Sequence, residues 1–530
     1  MTDRLGQSAP APSCADGWTL ETRVAPAALI GANGMRWGPD GRLFVAQAFG
    51  GQVSAVDVAS GVAEVISPAN GLIIAPDDLA FDSHGNMFAT EVMSARVSAY
   101  RPNGAVDVIA ADVPVANGIT VHRDRIFMSE FNPEGRILEL FADGAAPRVI
   151  ASGLMMPNAL CLGPDDHLYF PLVPLGEVWR VPLAGGAAER VAGGFNVPTA
   201  VKFDAKGQLF VVESGTGAII HFDIVSGTKT EFARVAFGID NFAFAPDGRM
   251  FVSHFTDGGV VEISPGGETR QAVRGGMLGP FGLAAGPGGS LVAADGMSLA
   301  HIANDGSINR PAMLLQHGFP GYVRGLAMAP DGAYITSSSA GLVARYRAGE
   351  KAVPILEGLD RAMGVALAAN GDVVVCEAGT GRVLSIGADG ETRILASGLS
   401  DPTGVYCNAD GSLIVSEAGA GRVVHIKDGH AATMLDGLVE PHGVTASGGA
   451  AFALDRGTGS LHRITGGRSQ IVATNLPVGA SSGMKVNTLP GIDLVMPGPL
   501  LPFSDIAALA DGSIAIGGDA DGSVMLVRSL

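Results

Sequence analysis

The stretch PTAVKFDAKGQLFVVESGTGAIIHFD, residues 198–223, carries the plan of the whole chain. A small turn opens it, a short apolar strand follows, and a Gly-containing turn reverses the chain into a second apolar strand that ends on Glu213. A Gly-rich turn then leads into a third strand. Half a chain later PTGVYCNADGSLIVSEAGAGRVVHIK, residues 402–427, repeats the same order element for element. Working outward, the residue just before each first strand recurs as Asn33, Asp77, Asn117, Asn158, Thr199, Asp240, Phe281, Arg324, Met363, Thr403, His442 and Ser504, with a period of about 40 residues. Between the first two strands, pairs such as Asp40-Gly41, Asp247-Gly248, Asp331-Gly332 and Asp410-Gly411 supply the positive φ angles of tight hairpins. Each unit is therefore a meander of four antiparallel strands, and such a sheet must stack against copies of itself to bury both faces.

This pattern predicts an all-β fold, a β-propeller of about twelve four-stranded blades that divides most simply into two six-bladed propellers. Residues 1–17 form an N-terminal tail, 18–278 the first propeller and 279–530 the second. The step from His442 to Ser504 holds about twenty extra residues, which places an insertion around 466–502. The chain ends at SVMLVRSL after a third strand, whereas WTLETRVA (18–25) resembles the fourth strand TRILASG of blade nine. That N-terminal strand either opens the first propeller or completes blade twelve.

The composition agrees. With 76 glycines, 31 prolines, 16% charged and 47% hydrophobic residues in 530, the chain suits many short strands rather than long surface helices. A formal charge of −18 without a basic cluster argues against nucleic acid as a partner. No window offers a membrane-spanning apolar run, and the N-terminus lacks the basic start and apolar stretch of a secretory signal, so the expectation is no membrane and a cytoplasmic location. Cys14, Cys161, Cys376 and Cys407 follow no metal or redox spacing and read as thiols. Hydrolase elbows, zincin motifs and phosphate-binding loops are missing. Oligomeric state is not legible.

In a propeller the innermost strands start at one mouth of the channel, and the turns after the second strands return there. The first six blades contribute an inner set, Asn33, Asp77, Asn117, Asn158, Thr199 and Asp240, and a second set, Gln47, Glu91, Glu130, Leu172, Glu213 and His254. Converging carboxylates repel and lose hydration unless a cation or protons compensate. An oxygen-rich set favours a hard divalent metal, calcium first, with magnesium or manganese next. Against this, Asp or Asn at a strand start also caps turns through its own backbone. The second half is more mixed. Arg324 is placed to pair with Glu377 or Glu417, as an ion network or an anion site, and His442 beside Glu417 and Asp455 allows a second active site.

With its blades aligned, the chain resembles the SMP-30/gluconolactonase/LRE-like superfamily, related to NHL-type and virginiamycin-B-lyase-type repeats, in a double-length form. The resemblance lies in motifs such as ANGITVHRDRIFMSE (116–130), MPNALCLGPDDHLYF (156–170) and IDNFAFAPDGRMFVSH (239–254). It implies a divalent ion, commonly calcium, at the channel mouth, with Asn117, Asn158 and Asp240 as ligands. Asn33 stands where the family has a glutamate, and Glu91 or Glu130 would substitute for it. The implied activity is metal-dependent hydrolysis of a lactone, cyclic ester or similarly activated carbonyl of a small-molecule substrate. Asp240, Glu213 or His254 would be the base, and Asn33, Asp77, Gln47 and Thr199 would contact substrate. The alternatives are a virginiamycin-B-type metal-dependent lyase and a non-catalytic binding scaffold.

Overall fold

The computed structural model describes residues 4–7, 9–479 and 489–530. Among them there are twelve antiparallel sheets and no α-helix, hence no helix long and apolar enough to cross a membrane. The chain divides into two compact units. One holds Ala27–Gly275 and the other Gln7–Pro26 with Gly276–Leu530.

In the first unit six four-stranded blades follow one another from Met35–Trp37 to Thr269–Val273. Each is a simple meander whose first strand is innermost. Apolar residues of adjacent blades share one cluster after another, and the ring closes where Met35, Leu43 and Val45 of blade one pack with Phe251 and Val260 of blade six. Trp37 meets Phe251 edge-on, with ring centroids 5.4 Å apart. The second unit closes in the same way, Leu283, Leu291 and Ala293 of its first blade packing with Ala507, Ala515 and Leu526 of its last. That last blade is completed by Trp18–Val24, which pairs with Ser523–Ser529. Part of the expected tail is also ordered, because Ser13–Cys14 adds a fifth strand beside Arg468–Thr474. Arg468–Thr474 is the regular fourth strand of blade eleven, and the inserted residues follow it. Residues 480–488 of that insertion lie outside the described residues. All four cysteines are free, with Cys161 and Cys376 buried and Cys14 and Cys407 half-buried.

A hydrogen-bond stitch repeats between neighbouring blades. A hydroxyl in the second strand serves the backbone N–H of its own inner strand and donates to the inner-strand carbonyl of the next blade. Ser129 does this for Gly118 N and Asn158 O, each at 3.0 Å. Ser253 does it for Asn241 N and closes the first ring on Asn33 O at 2.6 Å. Such stitches demand close backbone approach near the axis. A β-carbon on Gly118 would lie 2.6 Å from Ala159 Cα and 2.9 Å from Asn158 O, both backbone atoms that cannot swing away. Gly118→Ala is therefore expected to cost about 3 kcal/mol, read as a lower urea midpoint with unchanged m-value.

Candidate functional site

The inner strands do not pair evenly with their neighbours. In blade two the register shifts between Pro76 and Leu79, in blade three between Ala116 and Ile119, and in blade six between Ile239 and Phe242. These bulges release Asp77-Asp78, Asn117-Gly118 and Asp240-Asn241 from strict alternation, so that the axial residues escape the apolar faces between blades. Two residues before each axial residue the chain of the first unit turns left-handed, at Gly31, Ala75, Val115, Met156, Val197 and Gly238. Four of these six are not glycine, and a β-branched Val115 or Val197 at positive φ is held there only by its surroundings.

What holds the turns is the second set of sequence candidates. Glu91, 0% exposed, accepts the Ile74 N–H at 2.6 Å and is ion-paired with Arg96. Glu213 accepts the Asn196 N–H at 3.1 Å and the Thr216 hydroxyl at 2.7 Å. Gln47 accepts the Ile30 N–H at 2.7 Å, doing with an amide what the glutamates do with a carboxylate. His254 Nε2 lies 3.1 Å from the carbonyl of Ala236 in the same loop position. Glu130 forms a two-point pair with Arg136, Nε at 2.6 Å. Glu91 and Glu130 are thus already engaged by arginines, and neither Glu213 nor His254 bonds to an axial residue. The contacts the structure gives this set are therefore to loop backbone and to arginines rather than to the first set.

Of the axial set, Asp77, Asp240 and Asn33 come together. Asp77 and Asp240, two blades apart across blade one, keep a solvent-facing edge while sitting deep enough that burial drives both upward. Asp77 is raised well above the carboxylate range by burial, then by the charges of Asp240 and Asp78. Asp240 is pushed up to about 7 by burial and the charge of Asp78, against a lowering hydrogen bond from Asn33 and the pull of Lys202. Asn33 is buried and its Oδ1 accepts the Ala48 N–H at 3.1 Å, which leaves its amide free to face Asp240. Asn158 Oδ1 caps its own turn, accepting Ala159 N–H at 2.7 Å, and Thr199 donates to Ile239 O at 3.3 Å. Asn117 differs from both. Its Oδ1 is buried and has no hydrogen-bond partner among the described residues.

Deeper in the inner strands lie charged groups the sequence reading passed over. Asp78, 1% exposed, accepts the Ile119 N–H at 3.1 Å and lies 3.9 Å from Arg36 Nη2. Lys202 is buried, donates to the Phe242 carbonyl and is pushed down to about 7, first by burial and then by Arg36. Burial raises the Cys161 thiol to about 12, with Lys202 and Arg36 opposing. Three carboxylates thus face two cations, and the two carboxylates with no arginine or lysine bonded to them are those at the mouth. Their signal in sequence was a charge inside an apolar inner strand, as in Met35–Trp37 and Pro198–Phe203.

Whether these residues suit a divalent cation is answered by the donor set. Among the described residues no three His, Cys, Asp or Glu form a metal-type cluster, so an ion would rest on two carboxylates and amide oxygens. Asp77, Asp240 and the free Oδ1 of Asn117 meet that description with hard oxygen donors. A cation would also relieve the repulsion that now favours protonation.

The second unit behaves otherwise. Glu377 and Glu417 hold Asp360 N and Ser400 N at 3.0 and 2.8 Å and pair with Arg382 and Arg422, not with Arg324. Asp455 accepts the Val439 and Glu440 N–H groups. His442 accepts the Ser504 N–H at 3.3 Å and stacks on Phe503 at 5.7 Å. His442, Glu417 and Asp455 therefore do not assemble a second acid–base site.

No family model matches the chain, and no curated protein does. Similar solved structures include a streptogramin B lyase (17% identity, 60% of this chain and 94% of that one, TM-score 0.36). Others are virginiamycin B lyase from Staphylococcus aureus (12% identity, 63% and 95%, TM-score 0.31) and a gluconolactonase from Xanthomonas campestris (17% identity, 62% and 95%, TM-score 0.32). At these identities and scores the propeller assignment rests on the chain's own twelve sheets.

Proposed function

We propose that the first unit is a metal-dependent hydrolase of a lactone, cyclic ester or similarly activated carbonyl, with its site at the channel mouth. The observation that carries the reading is the Asp77–Asp240 pair, two carboxylates raised by burial and by neighbouring charge; Asn117, at the equivalent position of blade three, adds a buried Oδ1 with no hydrogen-bond partner among the described residues. The substrate class comes from the sequence resemblance to the SMP-30/gluconolactonase group. Asp77, Asp240 and Asn117 would hold a divalent ion, calcium first, with the second oxygen lone pair of Asn158 within the same ring. A bound ion supplies Lewis acidity toward the substrate carbonyl.

The remaining chemistry belongs to the side chains. Asp240, oriented by Asn33, is the base that takes a proton from water as its oxygen attacks the carbonyl carbon. The ring C–O bond breaks, and the same carboxyl returns the proton to the leaving oxygen. Asn33 and Thr199, both buried, would serve as neutral hydrogen-bonding groups that leave the charge balance untouched.

The test is turnover of a lactone panel by the full chain with calcium, magnesium or manganese and after chelation, in ¹⁸O-labelled water. Metal-dependent turnover with one labelled oxygen in the product supports hydrolysis. A product with a new double bond and no label would mean the lyase reaction instead. Absence of turnover with every metal would leave the ring as a binding scaffold, its carboxylates balanced by Arg36, Lys202 and protons.

A further inference from the structure

The second unit carries at the second position of its second inner strand, Val323–Met328, a residue unlike any other in either ring. Arg324 is 0% exposed, and its guanidinium donors reach only soft or distant acceptors, Met363 Sδ at 3.4 Å and the Ser338 carbonyl at 3.4 Å. Among the described residues its Nε has no hydrogen-bond partner and no carboxylate lies within ion-pair distance. The glutamates that could have neutralised it are bound to Arg382 and Arg422. Burial pushes Arg324 down to about 10, against Tyr322 and with the nearby charge of Arg361. A second orphan sits beside it. Ser338 Oγ is fully buried and has no hydrogen-bond partner among the described residues, although its own carbonyl touches Arg324.

Buried cations are retained only when something balances them, and removing the balance is costly. Here the guanidinium Nε and the Ser338 hydroxyl are donors that share one missing kind of neighbour, an anionic acceptor. We infer that the channel of the second unit binds a small monocarboxylate on Arg324, with Ser338 Oγ as an additional donor. The guanidinium fork matches a planar carboxylate through two parallel N–H···O bonds. A phosphate dianion would exchange one unbalanced charge for another, in a channel that also holds the buried carboxyl of Asp505. The neighbourhood limits ligand size. Ser339 Oγ donates to the Pro497 carbonyl at 2.9 Å, so the inserted segment crosses directly beside the site, and Phe281 and Tyr322 pack against each other at 5.9 Å. Formate and acetate, the smallest monocarboxylates, are the probes this tight surrounding calls for. This site is independent of the hydrolase reading, which concerns the other unit.

The experiment is calorimetric titration and thermal melting of the full chain with sodium acetate and sodium formate, at constant ionic strength, with sodium phosphate and chloride alongside. Acetate or formate is expected to bind with a Kd below about 1 mM and to raise the melting midpoint in a saturable way, at least tenfold more tightly than phosphate. Arg324→Met should abolish this response while melting roughly 3 °C higher than the parent in carboxylate-free buffer, because it removes an unbalanced charge. Ser338→Ala, which leaves the guanidinium in place, should weaken acetate several-fold and keeps the test valid if the methionine variant does not fold. No saturable response to acetate or formate in the parent, equal binding of phosphate, or an unchanged response in a folded variant would each overturn the inference.

Discussion

Replacing Asp240 by asparagine is expected to lower lactone turnover by about 10³-fold and metal affinity by at least about 100-fold. The same change should make the chelated protein more stable at pH 8, by about 1 kcal/mol. The two effects share one cause. In metal-free protein Asp240 and Asp77 sit above their unfolded range because burial, and next the neighbouring carboxylates, penalise the charged form. The folded chain then binds protons more tightly than the unfolded one. The stability these groups confer is present below the unfolded carboxylate pKa and is lost as pH rises through about 7. Melting midpoints of chelated protein should therefore fall as pH rises from about 4 to about 7 and level off above it, and Asp240→Asn or Asp77→Asn should flatten that slope. Saturating metal should reverse the order of stabilities, leaving the parent above both variants. Melts at several pH values, with chelator and with calcium, check all of this together.

Glu91→Ala is expected to destabilise the protein by about 3 kcal/mol, an effect of a different kind. It strips the Ile74 N–H of its acceptor, leaves Arg96 without its carboxylate and frees the left-handed turn at Ala75 that presents Asp77. Glu91→Gln should restore most of the stability, because Gln47 in blade one already holds the equivalent turn with an amide. It should also keep metal binding within a few-fold of the parent. A glutamate that ligated the ion would show the opposite, with glutamine failing to restore metal affinity. Urea unfolding and calcium titration of the two variants separate these cases.

The contrast between the two predictions marks where sequence reading succeeded and where it stopped. The blade repeat was legible because its turns and strands recur at one spacing, and Asp77, Asn117 and Asp240 stood out as polar breaks before apolar strands. Sequence did not show that Glu91 and Glu213 each accept a backbone N–H from 17 residues earlier, or that Glu130 pairs with Arg136. Nothing in Ala75, Val115 or Val197 announces a left-handed turn, since such turns are ordinarily marked by Gly, Asn or Asp. Arg36, Asp78 and Lys202 were hidden because strand alternation assigns them to a sheet face, whereas the bulge beside Asp78 brings it to Arg36. For Arg324 the position was found and the partners were not. Glu377 and Glu417 lie at the right ends of the right strands, yet each has an arginine five residues on that claims it first.

We propose above that the mouth of the first ring is a divalent-cation site built on Asp77, Asp240 and Asn117. The most direct measurement is a crystal structure of the full chain soaked in manganese, with anomalous scattering collected to locate the ion. One strong anomalous peak is expected in the 27–275 unit, within bonding distance of Asp77 and Asp240 carboxylate oxygens and Asn117 Oδ1. The peak should vanish in Asp240→Asn. A peak on Glu91 or Glu130 in place of their arginines, or no peak at the mouth with the carboxylates closed on a shared proton, would contradict the proposal.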